Sequence, residues 1–305
     1  MSGGRERFTA EAGIHPGGVV SFDRLRIYTG ILGQIGDIVM FTATARRLKE
    51  LYPNSELTVA VGRPYEAAGR LVAGLPYVDR VFVTQNYFER LTPALFQPWE
   101  RGWPVDLRGD DEVAEERRHH LILPTRPRHR RERWWETRHQ VAETAEMVGV
   151  PGPIDLRTEV AIPLDTRTPD IARGKVVLHN DPRIDPRKAW SWEAVRELAR
   201  ALGPGQLALL GAPGPEVPGT VDLRGRTTLA EAAAAIRASH CFVGIDSGLM
   251  WIAGALQSRT VGLYGTEYLP KPEAVQPVNP NAIYLNSPGA VSEIPAEAVR
   301  ASLGD

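Results

Sequence analysis

The sequence predicts an α/β protein of two halves, each built on a parallel sheet, arranged around one cleft. Strand-like runs alternate with helical ones along the whole chain, which is the pattern of parallel α/β sheets. In addition, each half has a glycine-bearing turn that carries a strand directly into a helix. The first is GILGQIGDIVM after Leu25 to Thr29, and the second lies in VGIDSGLMWIAGAL, Val243 to Leu256. A helix start exposes unpaired N–H groups and a partial positive charge, and Gly248 leaves room for an anion against the backbone. Together these are the outline of a diphosphate site.

Residues 1–23 hold Gly3, Gly4, Gly13, Gly17 and Gly18 but no apolar signal core, and are read as a loose, flexible leader. Strands are expected at Leu25 to Thr29, Glu56 to Val61, Arg80 to Thr84 and His120 to Leu123. Helices are expected to begin near Asp37, Tyr65 and Trp134, the last ending at Gly149 before Pro151. Four prolines between Pro151 and Pro169 flank one short strand-like run, Glu159 to Ile162, and the domain boundary is placed there, with one domain at 24–168 and the next at 169–305. The second half restarts with the strand Lys175 to His179. A helix from Ser191 follows and stops at Gly203-Pro204-Gly205. The strand Leu207 to Leu210 leads into the turn-rich GAPGPEVPG. Thr228 with Glu231 makes a capping box for a helix reaching Ala238. Cys241 to Ile245, the Asp-Ser-Gly helix, the strand Thr260 to Tyr264 and a helix from Pro295 to Leu303 complete the order.

Apolar content of 43% and charged content of 24% are those of a soluble globular protein. The formal charge of −1 argues against a general nucleic-acid or anionic-membrane coat. The single cysteine, Cys241, forms no internal disulfide and sits in an apolar run as a buried, inert thiol. No apolar run approaches the roughly 20 residues that span a bilayer, so the default compartment is the cytoplasm.

Four segments occur in register: GQIGDIVMFTATARRLKELYPNSELTVAV; Lys188-Ala189-Trp190 ahead of a helix; Gly211-Ala212 with Glu216 downstream; and Asp246-Ser247-Gly248-Leu249 with Ile252-Ala253 and the later Tyr264-Gly265-Thr266. In order and spacing they resemble glycosyltransferase family 9, the heptosyltransferase family, over about residues 25–270. The resemblance implies the GT-B architecture, two Rossmann-like domains with parallel sheets facing an interdomain cleft, the first binding acceptor and the second nucleotide-sugar. It implies an inverting glycosyltransferase that moves a heptose or related sugar from a nucleotide diphosphate donor, ADP-linked in the family, to a hydroxyl acceptor, as in lipopolysaccharide biosynthesis.

Inverting transfer needs a base for the acceptor proton and positive groups for the departing diphosphate. Asp37 matches the family's catalytic aspartate; on its own it also reads as a carboxylate favouring the helix dipole. Lys188 is placed to neutralise the diphosphate, or is a solvated lysine ahead of a helix. The donor-binding set implied by the resemblance is Gly36, Glu216, Asp246, Ser247, Gly248, Leu249, Trp251, Gly265 and Thr266, with Thr227 and Thr228 where the family lines the base pocket. Asp246 would repel phosphate and is assigned to orienting the loop or contacting the sugar; Asp246 and Ser247 also read as plain helix caps. The family places histidine where this chain has Trp251. An indole offers one N–H and a large apolar face, which bears on the donor sugar and leaves the nucleotide site intact.

No Asp-x-Asp pair and no metal-spaced Cys or His cluster occurs, so metal-independent transfer is expected, with no cofactor besides the nucleotide-sugar substrate. Arg117 to His139 holds eight arginines, four histidines, two acids and the pair Trp134-Trp135. It reads either as a solvated face with tryptophans packed inward or as a surface for an anionic glycan or glycolipid acceptor, presented peripherally at the inner face of a membrane; nucleic acid is not expected. A GT-B nucleotide-sugar epimerase and a non-catalytic nucleotide-sugar-binding protein are the alternatives.

Overall fold

The computed structural model describes residues 14–15, 18–19, 26–30, 34–84, 120–123, 138–147, 150, 152–163, 172–181 and 185–304. Inside the expected leader, β1 (Ile14–His15) and β2 (Gly18–Val19) pair antiparallel. The first half is a parallel sheet of β3 (Arg26–Gly30), β4 (Glu56–Gly62), β5 (Arg80–Thr84) and β6 (His120–Leu123) in spatial order β5-β4-β3-β6. Its helices are α1 (Ile35–Leu51), α2 (Glu66–Val72) and α3 (Gln140–Met147). The expected start of α3 near Trp134 is corrected: residues 138–139 are not helical and α3 begins at Gln140, while 134–137 and its expected end at Gly149 lie outside the described residues.

The second half is a six-stranded parallel sheet of β7 (Val176–His179), β8 (Leu207–Leu210), β9 (Val221–Asp222), β10 (Cys241–Ile245), β11 (Thr260–Gly265) and β12 (Ala282–Ser287). Its spatial order, β9-β8-β7-β10-β11-β12, is the doubly wound one, reversing between β7 and β10. Such a sheet opens a crevice at the carboxyl ends of the two strands that flank the reversal. The helices are α4 (Trp192–Leu202), α5 (Leu229–Ala238), α6 (Gly248–Ala255) and α7 (Ala296–Ser302).

The caps follow their sequence signals. Ser191 accepts the Ala194 N–H at the start of α4, and Gly203 ends that helix at a φ of +90° that only glycine adopts without strain. Thr228 and Glu231 form the expected reciprocal box, Glu231 N–H donating to Thr228 Oγ1 at 3.2 Å and Thr228 N–H to Glu231 Oε2 at 2.8 Å. Cys241 is fully buried, and burial pushes its thiol up to about 11, the inert state expected of it.

Besides β1, β2, the start of α3 and the two-residue β9, which the sequence reading did not give, two elements differ from expectation. Glu159 to Ile162 forms no strand, because it lies across α1 and α2 instead of along a sheet edge. Its backbone is satisfied there by Thr42 Oγ1, which accepts the Glu159 N–H at 2.9 Å, and by the Leu71 carbonyl, which accepts the Ala161 N–H at 2.8 Å. Arg46 anchors the strap through Glu159 Oε1 at 2.5 Å and the Arg157 carbonyl at 2.8 Å. The second difference is β12, an edge strand that the sequence reading passed over although Ala282 to Leu285 is an apolar run; at the sheet edge its Ile283 is 48% exposed.

The two halves share one apolar seam. Val39 and Met40 of α1 and Val141 of α3 belong to the same buried cluster as Leu249, Met250, Trp251 and Ile252 of α6. Among the described residues no helix is long and apolar enough to cross a membrane.

Candidate active site

The seam opens into a cleft of about 620 Å³, within the size of small-molecule sites. One wall is the start of α1, with Gln34, Ile35, Gly36, Asp37 and Met40; the other is built from the carboxyl ends of β7, β8 and β10 and the start of α5. Of the residues expected to act, Gly36, Asp37, Lys188, Asp246, Ser247, Gly248, Leu249 and Trp251 all line it, together with Thr227 and Thr228.

Asp37 lies in the first turn of α1, where its Oδ2 accepts the Gln34 N–H at 2.8 Å. The capping and cleft-facing readings therefore hold together: one carboxylate closes the helix start and borders the cavity. Lys188 ends a short 3-10 turn, residues 186–188, that Asp185 opens by accepting the Arg187 N–H at 3.0 Å. Asp185 also binds the Arg187 guanidinium at 2.7 Å, which holds its carboxyl below the usual carboxylate range.

The Lys-x-Trp spacing has a mechanical cause. Trp190 is buried, donates from Nε1 to the Ile294 carbonyl at 2.7 Å, and is gripped on its backbone by Asn180, which accepts the Trp190 N–H and donates to its carbonyl, each at 2.9 Å. With the indole fixed in the core, Lys188 two residues earlier is delivered to the cleft. There its Nζ meets Asp246 Oδ2 at 2.5 Å, with the two side chains 27% and 13% exposed. The ammonium compensates the Asp246 carboxylate at the cleft. Ser247 caps α6, its Oγ accepting the Met250 N–H at 3.3 Å.

Gly248 has a packing role besides the one read from sequence. A Cβ there would lie 2.7 Å from Ile35 Cβ and 2.8 Å from Ile35 Cγ2, so the missing side chain admits α1 of the other half, while the residue also lines the cleft. Gly36 is the reciprocal case, its added Cβ falling 2.9 Å from Trp251 Cδ1. Trp251 is only 2% exposed yet borders the cleft. Its ring meets His139 edge-on at 6.1 Å between centroids. His139 Nδ1 accepts the Val141 N–H at 3.2 Å, which leaves Nε2 to donate to the Gln276 carbonyl at 2.9 Å in the second half.

Glu216, Gly265 and Thr266 are not brought to the cavity lining. Glu216 is exposed on the loop after β8, a loop held from behind by buried Arg224, which pairs with Asp222 at 2.7 Å and donates to the Pro215 carbonyl at 3.0 Å. Gly265 is required by packing, since a Cβ would fall 2.6 Å from the Gly289 carbonyl oxygen, and the Thr266 hydroxyl donates to the Pro288 carbonyl. The cavity also takes in residues the sequence reading did not single out: His179, Asp181, Asp185, Gln140 and Tyr65. His179 and Asp181 mark the carboxyl end of β7, a position that strand order alone makes a ligand site. Asp181 Oδ2 accepts the Ala212 N–H at 3.1 Å and so fixes the turn at Gly211, whose φ of +115° favours glycine.

The family model for glycosyltransferase family 9 (heptosyltransferase) matches residues 113–293 of this chain. The chain belongs to glycosyltransferase family 9. Solved structures agree on the fold. The family 9 glycosyltransferase of Veillonella parvula superposes with a TM-score of 0.69 at 16% identity, covering 91% of this chain and 95% of that one. The ADP-heptose lipopolysaccharide heptosyltransferase II of E. coli gives 0.65 at 18%, covering 92% and 97%. The dodecameric iron-containing glycosyltransferase TibC of enterotoxigenic E. coli gives 0.56 at 15%, covering 88% and 64%. Against the curated proteins the chain has no match by sequence. The fold of this family 9 glycosyltransferase is therefore GT-B, with its parallel sheets on either side of the cleft. Of the arginine-rich segment at 117–139, residues 117–119 and 124–137, with Trp134 and Trp135, lie outside the described residues. Arg138 is paired with Glu143 and Glu146.

Proposed function

We propose that this glycosyltransferase transfers a heptose or related sugar, with inversion, from an ADP-linked donor to a hydroxyl of a glycan or glycolipid. The observation that carries the proposal is the meeting in one cavity of Asp37 from the first half with Lys188, Asp246 and Ser247 from the second. The acceptor oxygen attacks the anomeric carbon as the bond from that carbon to the diphosphate oxygen breaks. The hydroxyl proton passes to the Asp37 carboxylate and the electron pair leaves with the diphosphate. Lys188 and the first amides of α6 face the charge that develops there. Asp246 keeps Lys188 at the cleft in the free enzyme and is left to orient the loop or meet sugar hydroxyls as the diphosphate takes the ammonium.

In this proposal the transfer is metal-independent; loss of turnover on chelation, restored by a divalent ion, would overturn that part. The domains run 24–168 for the acceptor and 169–305 for the donor. The acceptor is anionic and meets residues 117–139 at the cytoplasmic face of a membrane, a placement supported by the arginine count of that segment. The test of the donor half is titration of nucleoside diphosphates and their nucleosides into wild type and Lys188→Ala. The variant is expected to lose diphosphate affinity by about tenfold, as for removal of one charge-assisted contact, with the nucleoside unchanged. Equal loss for both ligands would refute the phosphate role.

One observation favours a second reading, a nucleotide-sugar-binding protein without turnover: Asp37 Oδ2 is already engaged by the Gln34 N–H. Turnover of nucleotide-sugar donor with acceptor by the wild type, lost in Asp37→Asn, supports transfer; donor binding without wild-type turnover supports the second reading.

A further inference from the structure

Lys188 has a second neighbour besides Asp246. Its Nζ stands 5.1 Å from the centre of the Tyr268 ring, inside the range in which an ammonium is attracted by the negative face of an aromatic. Tyr268 lies beyond β11 and packs against both the seam cluster shared by the two halves and the apolar cluster of the second half, so its ring has little freedom to turn. Its hydroxyl is buried and has no hydrogen-bond partner among the described residues, and burial raises its pKa, so the ring stays a neutral phenol. What the position presents to Lys188 is the ring face.

We propose that Tyr268 is a positioning residue that holds the Lys188 ammonium for the donor's diphosphate. The inference rests on the phosphate role of Lys188 proposed above. A lysine carries a flexible four-carbon stem, and ordering it on binding costs side-chain entropy. Asp246 orders it in the free enzyme, but that carboxylate and an arriving diphosphate compete for the same N–H donors. The ring face takes none of those donors. It therefore keeps Lys188 in place while the ammonium turns from carboxylate to phosphate, and Tyr268 acts on the donor solely through Lys188.

The experiment is calorimetric titration of wild type, Lys188→Ala, Tyr268→Phe, Tyr268→Leu and Lys188→Ala/Tyr268→Leu. The probe is whichever of ADP, UDP and GDP the wild type binds, with its nucleoside alongside. Tyr268→Phe is expected to match wild type, and Tyr268→Leu to weaken the diphosphate about fivefold, the size of a partly exposed cation–π contact, with the nucleoside unchanged. In the Lys188→Ala background the leucine substitution is expected to have no further effect. A trifluorinated phenylalanine at position 268, which keeps the ring's shape and removes its negative face, is expected to behave as leucine does and serves if the leucine variant does not fold. Full diphosphate affinity in both the leucine and fluorinated variants, with Lys188→Ala impaired, overturns the inference alone, as does an additive loss in the double variant. Unimpaired Lys188→Ala, or a wild type that binds none of the three diphosphates, overturns the underlying reading and this inference with it.

Discussion

Gly248→Ala tests whether the two halves are joined by direct contact of α1 on α6. Helix propensity alone makes the change favourable, by up to about 1 kcal/mol. The seam makes it unfavourable. The new Cβ would lie 2.7 Å from Ile35 Cβ and 2.8 Å from Ile35 Cγ2, with the Gly36 amide nitrogen at 3.3 Å. Carbon atoms pack comfortably at about 3.5–4.0 Å, so each carbon contact is short by roughly 1 Å. Ile35 Cβ is attached to the backbone and cannot swing aside, so relief requires the helices to separate. Overpacking of this kind costs about 1–3 kcal/mol, and two carbon contacts this short belong to the upper part of that range, about 2–3 kcal/mol, leaving a net destabilisation of about 1–2 kcal/mol. Urea unfolding followed by tryptophan fluorescence, with the slope checked against wild type, reads the shift in midpoint. Ile35→Gly removes both offending carbons, so the Gly248→Ala/Ile35→Gly pair is expected to show a favourable coupling of about 1–2 kcal/mol. If Gly248→Ala is as stable as wild type, or its loss is not relieved by Ile35→Gly, the glycine does not serve the seam.

Asp37→Asn preserves an oxygen for the Gln34 N–H, so donor affinity is expected to stay nearly constant while turnover falls by about a hundredfold or more; wild-type turnover in steady-state assays would remove Asp37 from the chemistry. Trp251→His is expected to shift donor preference toward ADP-heptose with little change in ADP affinity, measured as relative kcat/KM for competing donors. Identical donor rankings would mean that the indole only packs against Gly36 and His139. Stability is expected to depend on pH through His139, whose pKa burial lowers from the ordinary value of 6.5. The unfolded chain then takes up the proton first, so the contribution is fully present above about pH 6.5 and is lost as pH falls through the lower folded value. Urea midpoints between pH 7.5 and 5 are expected to fall less steeply in His139→Phe, and an equal slope in both proteins would refute the assignment.

Features carried by neighbours in the chain were legible in the sequence. The caps at Ser191, Thr228 and Ser247 satisfy helix amides three residues away, and a hydroxyl or carboxylate at the right offset does this whatever the fold around it. The parallel strands announced themselves as short apolar runs between turns, and Asp37, Lys188 and Asp246, singled out by their resemblance to the family's motifs, all line the cleft. Other features depended on residues far apart in the chain. Glu159 to Ile162 has a strand-like composition, but the Thr42 hydroxyl and the Leu71 carbonyl reached its backbone before any strand did. Glu216 and Thr266 have suitable side chains, yet they stand outside the cleft, while His179 and Asp181, unremarkable as letters, enter it because strand order reverses beside β7. Gly248 shows the division most clearly. From sequence alone, a glycine at a helix start leaves an open space; only the docking of the two halves puts Ile35 against it, because the absence of a side chain does not specify what packs there.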